Sequence, residues 1–272
     1  MRSGLAVLVA LVALVALSTA SGSPYDRATP TAVAFADGMH GLLGMASGRS
    51  GEIETTYDGG KTWQVVRHTS QRVIAAGFLH DAYYVQLNGG ATYETDTTFR
   101  QWRRVHGHLF RGYCPRSWSW SSKTTYSADL VDTNIEKPWS ICGGQPATGF
   151  QAKAVFRGKT RVACTNFADS RSVPCGRASY GGISGYGYPA GIAGAHGGFG
   201  IIWPGARGIV YVTRDGGRHW HGVSVVRSDI DSGTWATTVG NTGFVLVWRE
   251  GHSRLVKTTN AGRSWRVVHR WR

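Results

Sequence analysis

The sequence predicts an all-β fold, a β-propeller built of four-stranded antiparallel blades. Short apolar or alternating runs of strand length are separated by Gly-rich turns, and no long helical period occurs. An eight-residue turn also recurs, at residues 56–63, 213–220 and 258–265. Four short strands over about 40 residues make up one propeller blade. The repeats therefore predict five blades, with six as the alternative count.

The first twenty residues are predicted to be a secretory signal peptide. Arg2 precedes an apolar run from Leu5 to Leu17, and small residues end the segment at Ala20. This order is typical of a cleaved signal, and the run is short for a membrane span. We therefore expect a secreted or extracytoplasmic protein with a linker over residues 21–30, a propeller over residues 31–272 and no membrane span after cleavage.

Each blade is predicted from its apolar runs, taken in chain order. The runs of the first two blades are Ala32–Asp37, Gly41–Ala46, Glu52–Thr56, Trp63–Arg67, Ile74–Phe78, Ala82–Leu87 and Ala91–Thr95. The runs of the later blades are Pro138–Gly144, Phe150–Arg157, Gly198–Trp203, Gly208–Val212, Gly243–Trp248 and Arg254–Lys257. Insertions are predicted at residues 107–127 and 165–190, because neither segment shows a strand pattern.

The repeated turn, which we call the box, follows the pattern Thr-x-Asp/Asn-x-Gly-x-Thr/His/Ser-Trp. Its matching residues are Thr56, Asp58, Gly60 and Trp63, then Thr213, Asp215, Gly217 and Trp220, and then Thr258, Asn260, Gly262 and Trp265. Asp-Gly and Gly-Gly supply the positive φ of a tight hairpin, Asp or Asn accepts turn amides, and Trp buries a large surface. Residues 95–102 are interpreted as an eroded copy. These residues are expected to be structural, because recurrence in each hairpin explains the aspartates better than catalysis or metal binding does.

The box resembles the Asp-box, also called the bacterial neuraminidase repeat, and the resemblance covers residues 31–270. Sialidase-like and sortilin-like propellers carry this repeat, as do photosystem assembly factors. The resemblance implies a propeller whose boxes lie at the periphery, away from any catalytic centre. The Gly- and Trp-punctuated insertions are more similar to those of exported proteins of high-GC bacteria than to those of the enzymes.

A sialidase-like glycoside hydrolase is the alternative function, and the enzyme question stays open. The Arg-Ile-Pro motif of sialidases is absent near the first blade, and the chain has five glutamates. Glu54 and Glu94 are expected to be solvated at strand ends. Clusters of carboxylates, such as those at residues 129–136 and 229–231, lie in predicted turns where Asp is common. No cofactor or metal is expected, because no phosphate-binding, dinucleotide or zinc motif occurs.

Candidate ligand-binding residues lie in the insertions. Aromatic side chains beside cations suit sugar rings or anionic polymers, and here they are Arg111, Arg116, Trp118, Trp120, Tyr186 and Tyr188. The alternative is that these tryptophans cap the core. The chain carries 30 Lys and Arg against 16 Asp and Glu, and the positive residues are spread along it. We expect a monomeric, non-enzymatic binding or scaffolding module for an anionic polysaccharide, a cell-wall polymer or an envelope protein. Nucleic acid is not expected as a partner of an exported chain.

Four cysteines in an exported chain allow two disulfides in any of three pairings. Cys164 and Cys175 flank a loop that contains Ser, Asp and Pro, which favours their pairing and leaves Cys114 with Cys142.

Overall fold

The computed structural model describes residues 28–79, 81–106, 128–129, 139–144, 152–157, 160–166, 189–194, 198–204, 209–225, 232–249 and 252–271. Within these ranges every regular element is a β-strand, and twenty strands form five four-stranded antiparallel sheets. This confirms the predicted all-β propeller of four-stranded blades. No helix in the described ranges is long and apolar enough to span a membrane.

The strands follow one another sheet by sheet. The first sheet holds β1 (Thr29–Phe35), β2 (Gly41–Ser47), β3 (Ser50–Thr56) and β4 (Gln64–Thr69). The second holds β5 (Val73–Leu79), β6 (Ala82–Leu87), β7 (Thr92–Thr95) and β8 (Trp102–Val105). The third holds β9 (Ala128–Asp129), β10 (Trp139–Gly144), β11 (Ala152–Arg157) and β12 (Thr160–Asn166).

The last two sheets repeat the same order. The fourth holds β13 (Pro189–Gly194), β14 (Gly200–Pro204), β15 (Ile209–Thr213) and β16 (His221–Ser224). The fifth holds β17 (Ser232–Val239), β18 (Thr242–Arg249), β19 (His252–Thr258) and β20 (Arg266–Trp271). Each strand pairs with the next along the chain, so every sheet is a simple up-and-down meander.

Burial falls from the first strand of a sheet to the last. In the first sheet, the last four residues of β1 are all buried, whereas β4 has no buried residue. The strands β8, β16 and β20 likewise contain no buried residue. In these four sheets the fourth strand is therefore the outermost, and its side chains are exposed or only partly buried.

Seven of the twenty strands have no counterpart among the predicted runs, namely β8, β9, β12, β13, β16, β17 and β20. The sequence analysis did not predict β12, because no box precedes it, and it placed an insertion from residue 165 onward. In the structure β12 begins at Thr160, pairs antiparallel with β11 and extends to Asn166. The strands β13 and β17 were also missed, since their small residues, Gly and Ala or Ser and Thr, give a weak strand signal.

The first and last sheets pack directly against each other, which closes the two ends of the chain. β1 contacts both β5 and β17, although no strand is exchanged between the end sheets. We call this interface the seam. The rings of Phe35 and Phe244 stack across it with centroids 3.5 Å apart, and those of Trp63 and Trp271 lie 6.3 Å apart. Closure of the described sheets therefore depends on side chains and not on shared backbone pairing.

The strand register limits the disulfide pairing. Cys142 and Cys164 both pair with Ala154, from opposite sides of β11. Their Cα atoms are thus two strand spacings apart, about 9–10 Å, which exceeds the reach of about 7 Å for a disulfide. The register excludes a bond between these two residues. Cys114 and Cys175 lie outside the described residues, so the pairing of Cys164 with Cys175 and of Cys114 with Cys142 stays a prediction.

Replacing Phe244 by Ala is expected to lower the free energy of unfolding by about 3–5 kcal/mol, because it removes a buried ring from the seam. The control is Trp248→Ala on the same strand, whose side chain is 41% exposed, with an expected loss of below about 1 kcal/mol. Equilibrium urea unfolding followed by circular dichroism measures both. Equal losses would show that the seam does not hold the two end sheets together.

A basic rim as the candidate binding surface

The box closes the hairpin between the third and fourth strands of a sheet through its own side chains. In the first box, the Thr56 hydroxyl donates to Oδ1 of Asp58 (2.8 Å) and accepts the N–H of Gly60 (3.0 Å). The same Asp58 oxygen accepts the N–H groups of Lys61 (2.9 Å) and Thr62 (3.0 Å). The Thr62 hydroxyl donates to Oδ2 (2.7 Å). Both carboxylate oxygens are therefore engaged within the turn.

The second full box repeats this network with one replacement. Thr213 donates to Asp215 (2.8 Å) and accepts the N–H of Gly217 (2.9 Å). The His219 N–H donates to Oδ1 of Asp215 (3.0 Å), and its ring Nδ1 lies 2.6 Å from Oδ2. An imidazole here takes the place of the threonine hydroxyl of the first box, so this histidine is engaged in the hairpin.

The third box makes the network without a charge. Oδ1 of Asn260 accepts the Thr258 hydroxyl (3.0 Å) and the Ser264 N–H (2.9 Å). Nδ2 of Asn260 donates to the Ser264 hydroxyl (2.9 Å), so the direction of this last bond is reversed. The hairpin therefore requires the acceptor oxygen at the third box position and not a negative charge.

Each of the three boxes contains residues with positive φ and is hydrogen-bonded to the turn between the first two strands of its own sheet. Gly59 and Gly60 have φ of 76° and 88°, and Ala261 takes φ of 52° in the third box. The N–H of the fourth box residue donates to a carbonyl between the first two strands. These bonds are Gly59 to Met39 (2.9 Å), Gly216 to Gly198 (2.9 Å) and Ala261 to Asn241 (2.8 Å). The outer hairpin is thus fixed to the inner one.

The copy at residues 95–102 keeps more of this geometry than its sequence indicates. Phe99 occupies the position of Gly60 and adopts φ of 57° although it is not glycine. The indole of Trp102 donates to the Phe99 carbonyl (3.1 Å), as Trp63 does to Gly60 and Trp220 to Gly217 (both 3.1 Å). The box sequence is therefore largely lost in this segment, whereas the positive φ at the fifth position and the hydrogen bond of the indole are kept.

Hydrogen bonding sets the charge state of the box aspartates. Burial raises the pKa of Asp58, but the hydrogen bonds from Thr62, Thr56 and Lys61 outweigh it and hold the pKa far below its ordinary value. Asp215 shows the same balance, with His219 as its main donor. Both groups stay ionised under physiological conditions and are held by internal donors.

Cations follow the boxes around the outside of the molecule. The sixth residue of each described box is an exposed Lys or Arg, and the outermost strands add further arginines. We call this set the basic rim, and it consists of Lys61, Arg67, Arg100, Arg103, Arg104, Arg218, Arg263, Arg266 and Arg270. The outermost strands β4, β8, β12, β16 and β20 contain no Asp or Glu. The charged residues of these strands therefore carry one sign, whereas the box hairpins beside them also contain the ionised Asp58 and Asp215.

Most of the basic rim is unpaired. Of its nine members, Arg103 alone forms an ion pair with a carboxylate of the described residues, at 2.9 Å and 3.0 Å from the two oxygens of Glu94. Arg67 lies over the rings of Tyr93 (5.1 Å) and Trp102 (5.3 Å) of the second sheet. Charge on an edge strand also prevents edge-to-edge pairing, but either sign would serve that purpose. A single sign adds a positive field.

The residues predicted to bind ligand differ from those that the structure brings together. Arg111, Arg116, Trp118, Trp120, Tyr186 and Tyr188 lie outside the described residues. The basic rim was missed because the cations are spread along the sequence, and only the sheet order gathers them at one edge. The recurrence of Lys or Arg at the sixth box position was the signal that could have found it. In the described ranges, no group of three or more His, Cys, Asp or Glu side chains could hold a metal ion.

No protein-family model and no curated protein matches the chain. Among solved structures, it is similar to YCF48 bound to D1 peptide, with 14% identity over 88% of this chain and 82% of that chain and a TM-score of 0.39. The GH74 xyloglucanase from Xanthomonas campestris shows 12% identity over 87% of this chain and 38% of that chain, with a TM-score of 0.34. Streptogramin B lyase shows 9% identity over 90% and 83%, with a TM-score of 0.43. Likenesses at this level carry no argument about function.

Replacing Asp58 by Asn is expected to change the free energy of unfolding at pH 7 by less than about 1 kcal/mol, because Asn reproduces the network of Asn260. Asp58→Ala removes the acceptor and is expected to cost about 2 kcal/mol. Because the folded pKa lies below its ordinary value of 3.8, the stabilisation is present above that pH and lost below it. Asp58→Asn should therefore lose less stability than the native chain when urea unfolding is repeated at pH 3. Equal damage by Asn and Ala at pH 7 would contradict the proposed role of the oxygen.

Proposed function

We propose that the chain is an Asp-box propeller that acts as a non-enzymatic binding or scaffolding module outside the cytoplasm, at the cell envelope. Its ligand is an anionic polymer, such as a cell-wall polymer or an acidic polysaccharide, held by the basic rim. The observation that carries this proposal is the single sign of the charge on the outermost strands. The basic rim holds nine cations, and Arg103 alone among them is paired with a carboxylate of the described residues.

A polymer fits this surface better than a small anion does. The cations of the basic rim belong to different sheets, and most are exposed, so each contact with an anionic group contributes little by itself. A polymer engages several of them at once, and the later contacts form within the complex at high effective concentration. Because the contacts are exposed, salt screens them. The predicted signal peptide places such a chain where wall and envelope polymers occur.

The aromatic residues of the insertions extend the proposal to sugar rings. Trp118 and Trp120 are predicted to lie beside Arg111 and Arg116, an arrangement that suits a sugar ring carrying an acidic group. Tyr186 and Tyr188 supply a second aromatic pair. This contribution is proposed from the sequence alone.

Replacing three exposed members of the basic rim by Gln, at Arg104, Arg218 and Arg270, is expected to weaken retention on an immobilised cell-wall fraction. The three lie on different sheets, and at about 0.5–1 kcal/mol each the loss of affinity is about 10- to 100-fold. The matched control replaces the same three arginines by Lys, which keeps the charge and should keep the retention. Thermal unfolding checks that both variants fold.

Retention of the native chain should also fall steeply as NaCl is raised. Undiminished binding by the Gln variant, or binding that does not change with salt, would contradict the electrostatic proposal.

A glycoside hydrolase is the second candidate function, and one observation favours it. Glu54 was expected to be solvated, but its side chain is half-buried on the same face of β3 as Glu52. Burial raises the pKa of Glu54, and the charge of Glu52 raises it further. A raised carboxyl pKa is what a general acid requires.

The binding proposal predicts no turnover of a panel of fluorogenic glycosides by the native chain. The hydrolase would show turnover that Glu54→Gln abolishes and that Glu94→Gln, a control at a carboxylate paired with Arg103, leaves unchanged. Turnover with that dependence on Glu54 would replace the binding proposal.

A further inference from the structure

A buried lysine lies at the seam, next to the first box. Lys257 is 7% exposed and directly precedes the third box. The residues that precede the first and second boxes are Thr55 and Val212, so among these three boxes only the third has a charge at this position. Its Nζ donates to the carbonyl of Gly38 (2.6 Å) and lies 5.0 Å from the ring centroid of Phe244. An ammonium group has three donors, and this contact uses one of them.

Two further cations gather around this lysine. Arg266 pairs with Lys257 in the register of β19 and β20, so their side chains share one face of the sheet. Lys61 comes from the first box, whose Gly59 lies so close that an added Cβ would be 2.7 Å from Nζ. Burial lowers the pKa of Lys257, and the charges of Arg266 and Lys61 lower it further. The charges of Arg266 and Lys61 thus both act on Lys257.

The carboxylate whose charge acts on Lys257 is engaged elsewhere. Asp37 acts on Lys257 through its charge. Its Oδ1 accepts the N–H groups of Met39 (2.6 Å) and His40 (2.7 Å), and its Oδ2 lies 2.7 Å from Nδ1 of His40. Among the described residues, no carboxylate forms an ion pair with any of the three cations. A buried charge normally has such a partner.

We propose that Lys61, Lys257 and Arg266 form a subsite for one phosphate-type oxyanion at the seam. The inference rests on the proposed function and deepens it, because the subsite would hold one phosphate group of the anionic polymer. A phosphate group carries several oxygens and up to two negative charges, which match three neighbouring cations better than the single charge of a carboxylate does. The shared chemistry also includes free inorganic phosphate.

Occupation of this subsite strengthens the closure of the molecule. Its cations come from both sides of the seam, Lys61 from the first sheet's hairpin and the other two from the last sheet. An anion bound between these cations would attract all of them, where they otherwise repel one another. It would thereby link the first and last sheets, which share no strand pairing. A ligand that binds the folded chain alone raises its unfolding temperature in a saturable way.

Thermal unfolding at pH 7.5 with inorganic phosphate, against NaCl and sodium acetate at equal ionic strength, tests the subsite. The native chain should show a saturable rise in unfolding temperature with phosphate that neither control salt reproduces. The double variant Lys61→Gln, Arg266→Gln should raise the apparent Kd for phosphate by at least about tenfold, a loss of about 1.4 kcal/mol. Both residues are exposed, so this variant is expected to fold.

The matched control is the double variant Arg104→Gln, Arg263→Gln, which removes two exposed cations of the basic rim. Arg263 has the box position of Lys61, but its box contacts Val212 and not a lysine. This control should keep the phosphate response. The subsite is wrong if the native chain shows no response beyond the control salts, or if the variant at Lys61 and Arg266 responds like the control variant.

Retention on the cell-wall fraction identifies the source of the phosphate. A larger loss for the variant at Lys61 and Arg266 than for the control variant, which removes the same number of rim cations, assigns the phosphate to the polymer. Equal losses with a lost phosphate response assign it to free phosphate. The variant with Gln at Arg104, Arg218 and Arg270 leaves all three subsite residues intact. Failure of the basic rim is therefore measured separately from failure of the subsite.

Discussion

The acceptor oxygen at the third box position is the interaction on which the outer part of this molecule depends. It collects the amides of the turn and the hydroxyl of the first box residue, and so fixes a hairpin that no neighbouring strand covers. The fixed turn carries a backbone N–H to the inner hairpin of the same sheet. It also sets the tryptophan that ends the box against the core. In the first box, Trp63 lies 6.1 Å from Phe35 and 6.3 Å from Trp271 of the last sheet.

The same turn determines which box residue is exposed to solvent. The third position accepts amides inside the hairpin in the boxes at residues 56–63, 213–220 and 258–265, whereas the sixth position is exposed in every described copy and is always Lys or Arg. A device that stabilises the fold thereby presents a repeated positive charge at the outer edge. The seam departs from this repeat. There the first box contacts Lys257 of the last sheet, whereas the third box contacts Val212 of the fourth sheet. The repeat thus explains the scaffold, and the departure from it indicates the place of specific binding.

Local pattern was enough to predict the box turns and the strands that enter them, because short-range hydrogen bonds and alternation determine them, whereas β13 and β17 of the same sheets were missed. The prediction failed where the cause is not local. Phe99 takes a positive φ that its residue type disfavours, so residues 95–102 looked more degraded than their backbone is. The half-buried state of Glu54 depends on packing around β3, which a strand pattern does not reveal.

The basic rim shows the same limit, since only the order of strands in a sheet tells which strand is outermost. The aromatic residues favoured from the sequence, Trp118 and Trp120 among them, lie outside the described residues. Their role stays a prediction.

Native-state hydrogen exchange of the box amides tests the central claim most directly. If side-chain oxygens hold the outer hairpins, the amides of Gly60, Thr62 and Ser264 should exchange as slowly as those of the paired strands. The protection should be the same in the box that has Asn260 as in the box that has Asp58. Exchange at the rate of an open loop, or protection confined to the box with the carboxylate, would contradict the account.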